Sequence, residues 1–388
     1  MKKLLFAGLG VLALSVLIII LWFFLVLSDL PDVSVLKHYR PAASAEVLDK
    51  DGDLLTHFYD RKFRIWVPIS SLPHIVIRAV VIAEDDTFFG HDGVNYQAVW
   101  EALRHDVRKK RFARGGSTIT QQMIKNVLLS KEKTITRKLR EFVLARKAED
   151  LLTKRRILEI YLNEVEWGDN VYGIEAASRF YFEKHAQELT PGEAALLAGM
   201  LPNPRYYNPF KRMNKATDRQ ERVLFNMRQA KQITQEEYDA ALASPVTLRQ
   251  EGSGRFDFGA LTGGNGRPCY QRTLEQVLVS LYGESAVYRG GMTIRTTLDR
   301  TLQEDIRRWE ESSLDKTEGV PGTVLTVKQG GVVRAIVCAE GKDEELQALL
   351  QAPGLPINIY DTAKVSPDSI GREEIILPAS PQAASLEQ

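Results

Sequence analysis

Gly115–Asn126 reads GGSTITQQMIKN, and a short way further on Arg137–Glu141 reads RKLRE. Thr118 and Gln121 stand at capping-box spacing, so a helix is expected to begin just after Gly115 and Gly116. Paired glycines let a backbone approach a ligand closely, and a helix start offers unpaired N–H groups to an anion. No GxxxxGK string followed by Ser or Thr is present here, so nothing points to a nucleotide. On a helix Arg137, Lys138 and Glu141 share one face, being three and four residues apart. Alone, such a cluster is a surface ion pair worth about 0.3–0.5 kcal/mol. Beside the glycines it reads as cations for a polyphosphate, with Glu141 orienting them or touching a metal.

Upstream lies Glu84–Gly93, EDDTFFGHDG. Ile82, Ala83, Phe88 and Phe89 put an apolar wall beside the acids. A carboxylate there loses solvation, its pKa rises, and it becomes a better general base near neutral pH. A solvated helix end explains the acids equally well when they are read alone, and His91 alone reads as a loop or packing residue. Asp85, Asp86 and His91 have no metal-ligand spacing of the HExxH kind. Downstream, Lys154–Asn163 (KRRILEIYLN) runs on through Glu166–Asp169 (EWGD) to Tyr172–Ala177 (YGIEAA), and most of its apolar positions read as core. Leu139–Leu162 keeps a helical period, and Thr190–Glu193 (TPGE) and Thr234–Glu237 are further helix starts. With Ile75, Ala79, Ile82 and Ala83 also helically spaced, residues 75–245 are expected to be mainly α-helical.

The flanks differ. Leu4–Leu27 is 24 residues without a charge, about 36 Å as a helix and long enough for a bilayer core of about 30 Å. Lys2 and Lys3 precede it and Asp29 and Asp32 follow, which places the N-terminus in the cytoplasm and the rest outside. The run is too long for the apolar region of a cleaved signal peptide. Pro31–Pro41 reads as a stalk, Glu46–Leu48 and Leu54–Tyr59 as a hairpin around Asp51–Gly52, and Arg64–Ile69 as another extended piece. Beyond Pro245, Gly252–Gly266 reads as a linker and Tyr270–Tyr282 as a helix. Met292–Leu298, Thr323–Lys328 and Val332–Val337 together read as one small β element. From about Ala352 the chain is proline-rich and without periodicity.

The charges are unevenly spread. The 388 residues hold 51 Lys+Arg and 50 Asp+Glu, yet Arg104–Arg156 holds 17 basic and five acidic residues, an excess of +12 that points to an anionic ligand or surface. Arg104, Arg108, Lys109, Lys110 and Arg111 read as lipid-headgroup contacts, as a solvated face or as substrate contacts, with Phe112 placed to dip into a bilayer. The composition excludes a disordered, collagen-like or polytopic membrane protein. Two cysteines, Cys269 and Cys338, rule out a disulfide scaffold and a thiolate zinc site, and the sequence does not show whether they meet.

In this order and together, the stretches at Glu84–Gly93, Gly115–Asn126, Arg137–Glu141, Lys154–Ala177 and Ala194–Pro209 (AALLAGMLPNPRYYNP) resemble the peptidoglycan glycosyltransferase family over roughly residues 60–245. The EWGD wording looks more like the monofunctional members, whereas Tyr270–Arg308 resembles the linker of bifunctional penicillin-binding proteins. The resemblance implies a mainly α fold: a lysozyme-like helical domain behind one transmembrane helix, with a small β-containing C-terminal segment. It divides the chain into a cytoplasmic tail (1–3), the membrane helix (4–27), stalk and hairpin (28–59) and the glycosyltransferase domain (60–245). Beyond these come a linker (246–300), a small α/β remnant (301–352) and a disordered tail (353–388).

The implied reaction joins lipid II to a growing lipid-linked glycan at the bacterial cytoplasmic membrane, with the domain on the outer side. Glu84 is the implied base and Glu141 the second catalytic acid. Lys125, Lys133, Arg137 and Lys138 are implied to hold the pyrophosphate, and Ser117, Thr118, Gln121, Gln122 and Asn126 the sugar or phosphate groups. Asp85, Phe88, His91, Gly93, Gly115, Gly116, Glu159 and Asn163 support the motifs. The Lys and Arg side chains are implied to hold the diphosphate with or without Mg²⁺, Glu141 positioning either them or the metal, and no organic cofactor is implied. Other wall-synthesis proteins fit as partners, and nucleic acid does not. Moenomycin, which imitates the lipid-linked donor in this family, is the implied inhibitor. The SxxK, SxN and KTG motifs of a transpeptidase are missing after Thr323–Val337, and Ser130–Lys133 lies inside the helical domain, so no transpeptidation is expected. A lytic enzyme on the same fold would not need the basic site, and an anchored scaffold would not need the whole constellation.

Overall fold

The computed structural model describes residues 2–59, 62–97, 100, 116–130, 132, 134–168, 170–249, 269–303, 324–329 and 332–338. Gly115, Lys133, the basic run Arg104–Arg111, Phe112, the glycine-rich 252–266 and the tail from 353 lie outside the described residues.

The first helix, α1 (Lys2–Ser28), runs unbroken for 27 residues, and its described apolar side chains are largely exposed: Leu17 at 61% and Phe24 at 72%. Among the described residues no helix is long and apolar enough to cross a membrane.

After α1 the sequence reads as a stalk, but the chain is packed. A 3₁₀ turn at Val33–Lys37, capped by Asp32, buries Val33 and Leu36 in the main core. The hairpin is present as β1 (Ala45–Leu48) and β2 (Leu54–Phe58), antiparallel with Ala45 opposite Phe58 and a bulge after Val47. The expected extended piece at Arg64–Ile69 shrinks to β3 (Phe63–Arg64), and Ile69–Ser71 is a 3₁₀ turn.

The helical body follows: α2 (His74–Glu84), α3 (Ile119–Val127), α4 (Ile135–Leu151), α5 (Lys154–Glu164), α6 (Ile174–Phe182), α7 (Pro191–Met200), α8 (Pro209–Gln229) and α9 (Gln235–Ala243). The helical period of Leu139–Leu162 belongs to two helices, because α4 ends at Leu152 and Thr153 caps a new start. Helix α7 is buried from Gly192 to Met200, which its all-round apolar composition requires. It packs against α2 and α8. At Gly199 a Cβ would lie 3.0 Å from Arg219 Cβ, so α7 and α8 meet backbone to side chain. A short sheet of β3, β5 (Val171–Tyr172) and β4 (Glu166–Gly168) closes one side.

A second core lies at the hairpin. Helices α10 (Cys269–Tyr282) and α11 (Glu284–Arg289) and strand β6 (Thr293–Arg295) bury Leu274, Leu278, Val287, Ile294 and Leu298 against Ala45, Val47, Leu55 and Phe58. Strand β6 runs parallel to β1, with Glu46 opposite Thr293. Met292–Leu298 therefore belongs with the hairpin and not with Val324–Gln329 and Val332–Cys338, which pair only with each other as β7 and β8. The sequence shows which segments are extended but not which partner, some 250 residues away, completes the ladder.

Candidate active site

Glu84 is the last residue of α2, where the unpaired carbonyls of the helix end disfavour a carboxylate. Its Oε2 accepts a hydrogen bond from Gln122 Nε2 at 2.7 Å, and Gln122 Oε1 accepts one from Tyr161 at 3.4 Å. Burial raises the Glu84 pKa, against the lowering pull of Gln122, Arg219 and Lys125. Tyr161, fully buried beneath, is pushed well up by its own burial and by Glu84 and Asp85. The acid is thus held in place by a neutral donor, while its surroundings disfavour its charge.

Asp85 is turned inward, with 8% of its surface exposed. It receives His91 Nε2 at 3.0 Å and the backbone N–H of Ile119, also at 3.0 Å. It therefore ties the start of α3 to the end of α2. Gly93 follows at φ +84°, where a Cβ would stand 2.8 Å from the Ala145 carbonyl of α4. Phe88 is buried and lies under Lys154, whose Nζ sits 4.3 Å from the ring centre and pairs with Glu149 at 2.8 Å. Phe89 is 65% exposed, so of the expected apolar wall only Phe88 is buried, with Ile82 and Ala83 packed partly buried against the core.

Helix α3 buries Ile119, Met123 and Ile124 and turns Gln122, Lys125 and Asn126 outward. Thr118 and Gln121 form the expected capping box and are buried. Thr118 also donates to the Gly93 carbonyl at 2.6 Å. Thr118 Oγ1 and Gln121 Oε1 are engaged at the helix start, with Ser117 and Gln122 partly exposed beside them, Asn126 exposed and Gly116 half-buried.

Glu141 is 2% exposed on α4. One oxygen accepts from Arg137 at 2.7 Å and the other from Lys138, whose Nζ also donates to Ser117 Oγ at 2.8 Å. The buried carboxylate aligns two cations whose outer faces remain accessible, Lys138 at 47%. Lys125 lies between the two acids: burial lowers its pKa, helped by Arg137 and Lys138, while Glu141 and Glu84 both pull it up. The arrangement gathers one poorly solvated acid and three cations into one site. Glu141 offers little to a metal, since both its oxygens are held by cations, and among the described residues no cluster of three His, Cys, Asp or Glu gathers anywhere.

Glu159 and Asn163 stand apart from the acids. Asn163, fully buried, accepts from the Val67 N–H at 2.9 Å and donates to the Val67 carbonyl at 2.8 Å, imitating a strand partner. Glu159 receives the Ile69 N–H at 3.0 Å. Both pin the segment before α2. One site residue is missing from the motif reading: Arg219 of α8, whose charge reaches Glu84, is held by the Gly199 carbonyl at 3.2 Å and stacks on Tyr207 at 5.4 Å. In the sequence it is one of four arginines in a charged amphipathic helix.

Residues 51–228 match the family described as Transglycosylase. The chain carries a peptidoglycan glycosyltransferase domain over these residues. It is 34% identical over 322 residues to penicillin-binding protein 1A of Aquifex aeolicus, covering 83% of this chain and 43% of that one. Penicillin-binding protein 1A of Vibrio cholerae is 36% identical over 302 residues, covering 78% and 36%. The chain spans less than half the length of these relatives. The crystal structure of penicillin-binding protein 1A from Haemophilus influenzae aligns over 81% of this chain and 35% of that one, at 22% identity and a TM-score of 0.39.

Proposed function

We propose that the chain polymerises lipid II at the outer face of the bacterial cytoplasmic membrane. Glu84 takes the proton from the 4-hydroxyl of an incoming lipid II as that oxygen attacks the anomeric carbon of the lipid-linked chain. The carbon–oxygen bond to the diphosphate breaks on the opposite face, so the configuration inverts from α to β. Negative charge grows on the leaving diphosphate, and Lys125, Arg137 and Lys138 meet it, the last two already aligned by Glu141 and therefore needing little reorganisation. Lys133 joins them on the motif reading. Asp85, His91, Thr118 and Gln121 hold the two helix ends that carry the acid and the cations.

The observation that carries this reading is Lys125 standing within electrostatic reach of both Glu84 and Glu141. The anchor reading rests on the uncharged Leu4–Leu27 run and its flanking charges, with the N-terminus inside. Purified full chain supplied with lipid II is expected to yield glycan strands, and moenomycin to stop it. Release of soluble fragments from finished peptidoglycan, without polymer from lipid II, would replace the reading with a lytic one.

A further inference from the structure

Helix α4 carries the cradle residues Arg137, Lys138 and Glu141 on one face. Between them Arg140 points elsewhere: its Nε donates to the Val26 carbonyl at 3.0 Å, and its guanidinium lies 4.0 Å from Asp29. Val26 belongs to the last turn of α1, whose carbonyls have no donor within the helix. A cation there also opposes the negative end of the helix dipole. Val26 is 7% exposed where its neighbours Phe24 and Leu25 are 72% and 60% exposed, so among the described side chains of α1 this turn is the buried one. Ser28 Oγ donates to the Leu25 carbonyl, closing a second of these groups.

The strap that follows is fastened as firmly. Leu36 is fully buried, Arg156 donates to the Tyr39 carbonyl at 2.6 Å and to that of Leu36 at 3.3 Å, and Tyr39 donates to Glu164 at 2.6 Å. Residues 33–39 are thereby held on helices α4 and α5. Arg137 lies three residues and Glu141 one residue from Arg140, at most about 4.5 Å along the helix axis.

We infer that Arg140 is a positioning residue: by capping α1 it fixes the height of the diphosphate cradle above the bilayer surface. This rests on α1 being the membrane anchor and on a lipid-linked diphosphate being the substrate. A lipid tail holds that diphosphate at headgroup depth, so a cradle set too high or tilted meets it less often. In detergent the boundary of the micelle adjusts around protein and substrate, and the register matters less.

The test uses the full chain with Arg140→Gln and Arg140→Lys. In phospholipid vesicles, amide exchange over residues 26–30 is expected to rise about tenfold in Arg140→Gln, the equivalent of losing one helix cap, with residues 74–84 unchanged. Polymerisation of long-chain lipid II in the same vesicles is expected to fall about tenfold, against less than twofold in detergent micelles, with Arg140→Lys regaining most of the loss. Unchanged exchange over 26–30 overturns the clamp, and equal losses in vesicles and micelles overturn its role in setting height. Should the unaltered chain make no polymer in either medium, the proposed function fails, while the exchange measurement still decides whether Arg140 clamps α1.

Discussion

Glu84 is a carboxylate in a place that disfavours its charge, at a helix C-terminus and screened from water. Its folded pKa lies above its ordinary value, so between the two the native state holds more protons than the unfolded one, and stability falls as pH rises through that window. Glu84→Gln is therefore expected to melt at a higher temperature than the parent at pH 7 while polymerising at least ~10²-fold more slowly, the scale of general-base catalysis. A variant that polymerises at the normal rate would remove Glu84 as the base.

Lys125 is displaced the other way, its pKa lowered by burial, so it loses charge at a lower pH than an ordinary lysine. The rate against pH should be bell-shaped, its acid limb above 4.5 and its basic limb below 10.5. Arg219→Gln takes away a positive charge that favours the Glu84 carboxylate, so the acid limb of kcat/KM should move to higher pH. A limb that stays put would separate Arg219 from the base.

At the scale of elements, the site depends on where helices start and stop. Thr118 is the N-cap of α3 and a donor to the Gly93 carbonyl, and Thr118→Ala should cost about 1–2 kcal/mol in urea unfolding. Gly93→Ala should cost about 1–3 kcal/mol, because the backbone sits at φ +84° and the new methyl meets Ala145 and Glu149 of α4. Both changes loosen the same joint between the acid and the cations, so activity should fall with them, without a shift of the pH limbs. Caps were legible because they are local: Thr118, Thr190 and Thr234 all cap the helices their spacing announced. That Thr118 and Gln121 are used up by the cap was not, since one spacing serves a helix start and a ligand contact alike.

Across the whole molecule, the hairpin core and the helical body are joined by charge. Arg179 of α6 binds Glu175 at 2.7 Å and reaches across to Glu46 of β1 at 2.8 Å, while His185 joins Glu175 at 2.9 Å. Burial would raise the Glu46 pKa, but His57 and Arg179 hold it at about 2. Its contribution is present above its unfolded pKa of 4.5 and is lost as pH falls from there through about 2. Glu46→Gln should abolish this acid dependence, seen as hairpin amides that exchange faster at pH 7 and no longer respond to acidification.

What the chain settles alone is what neighbours in sequence settle: the helix starts, the long uncharged run, the basic excess, and an order of motifs that marks one family. Tertiary structure decided the rest. Only folding brings Glu84 and Gln122 into contact, sets Arg219 beside them, fastens residues 33–39 onto α5 and lays β6 along β1. Each joins residues tens to hundreds of positions apart, and such pairings are fixed by which buried surfaces fit once helices and strands exist, a fact no local spacing records.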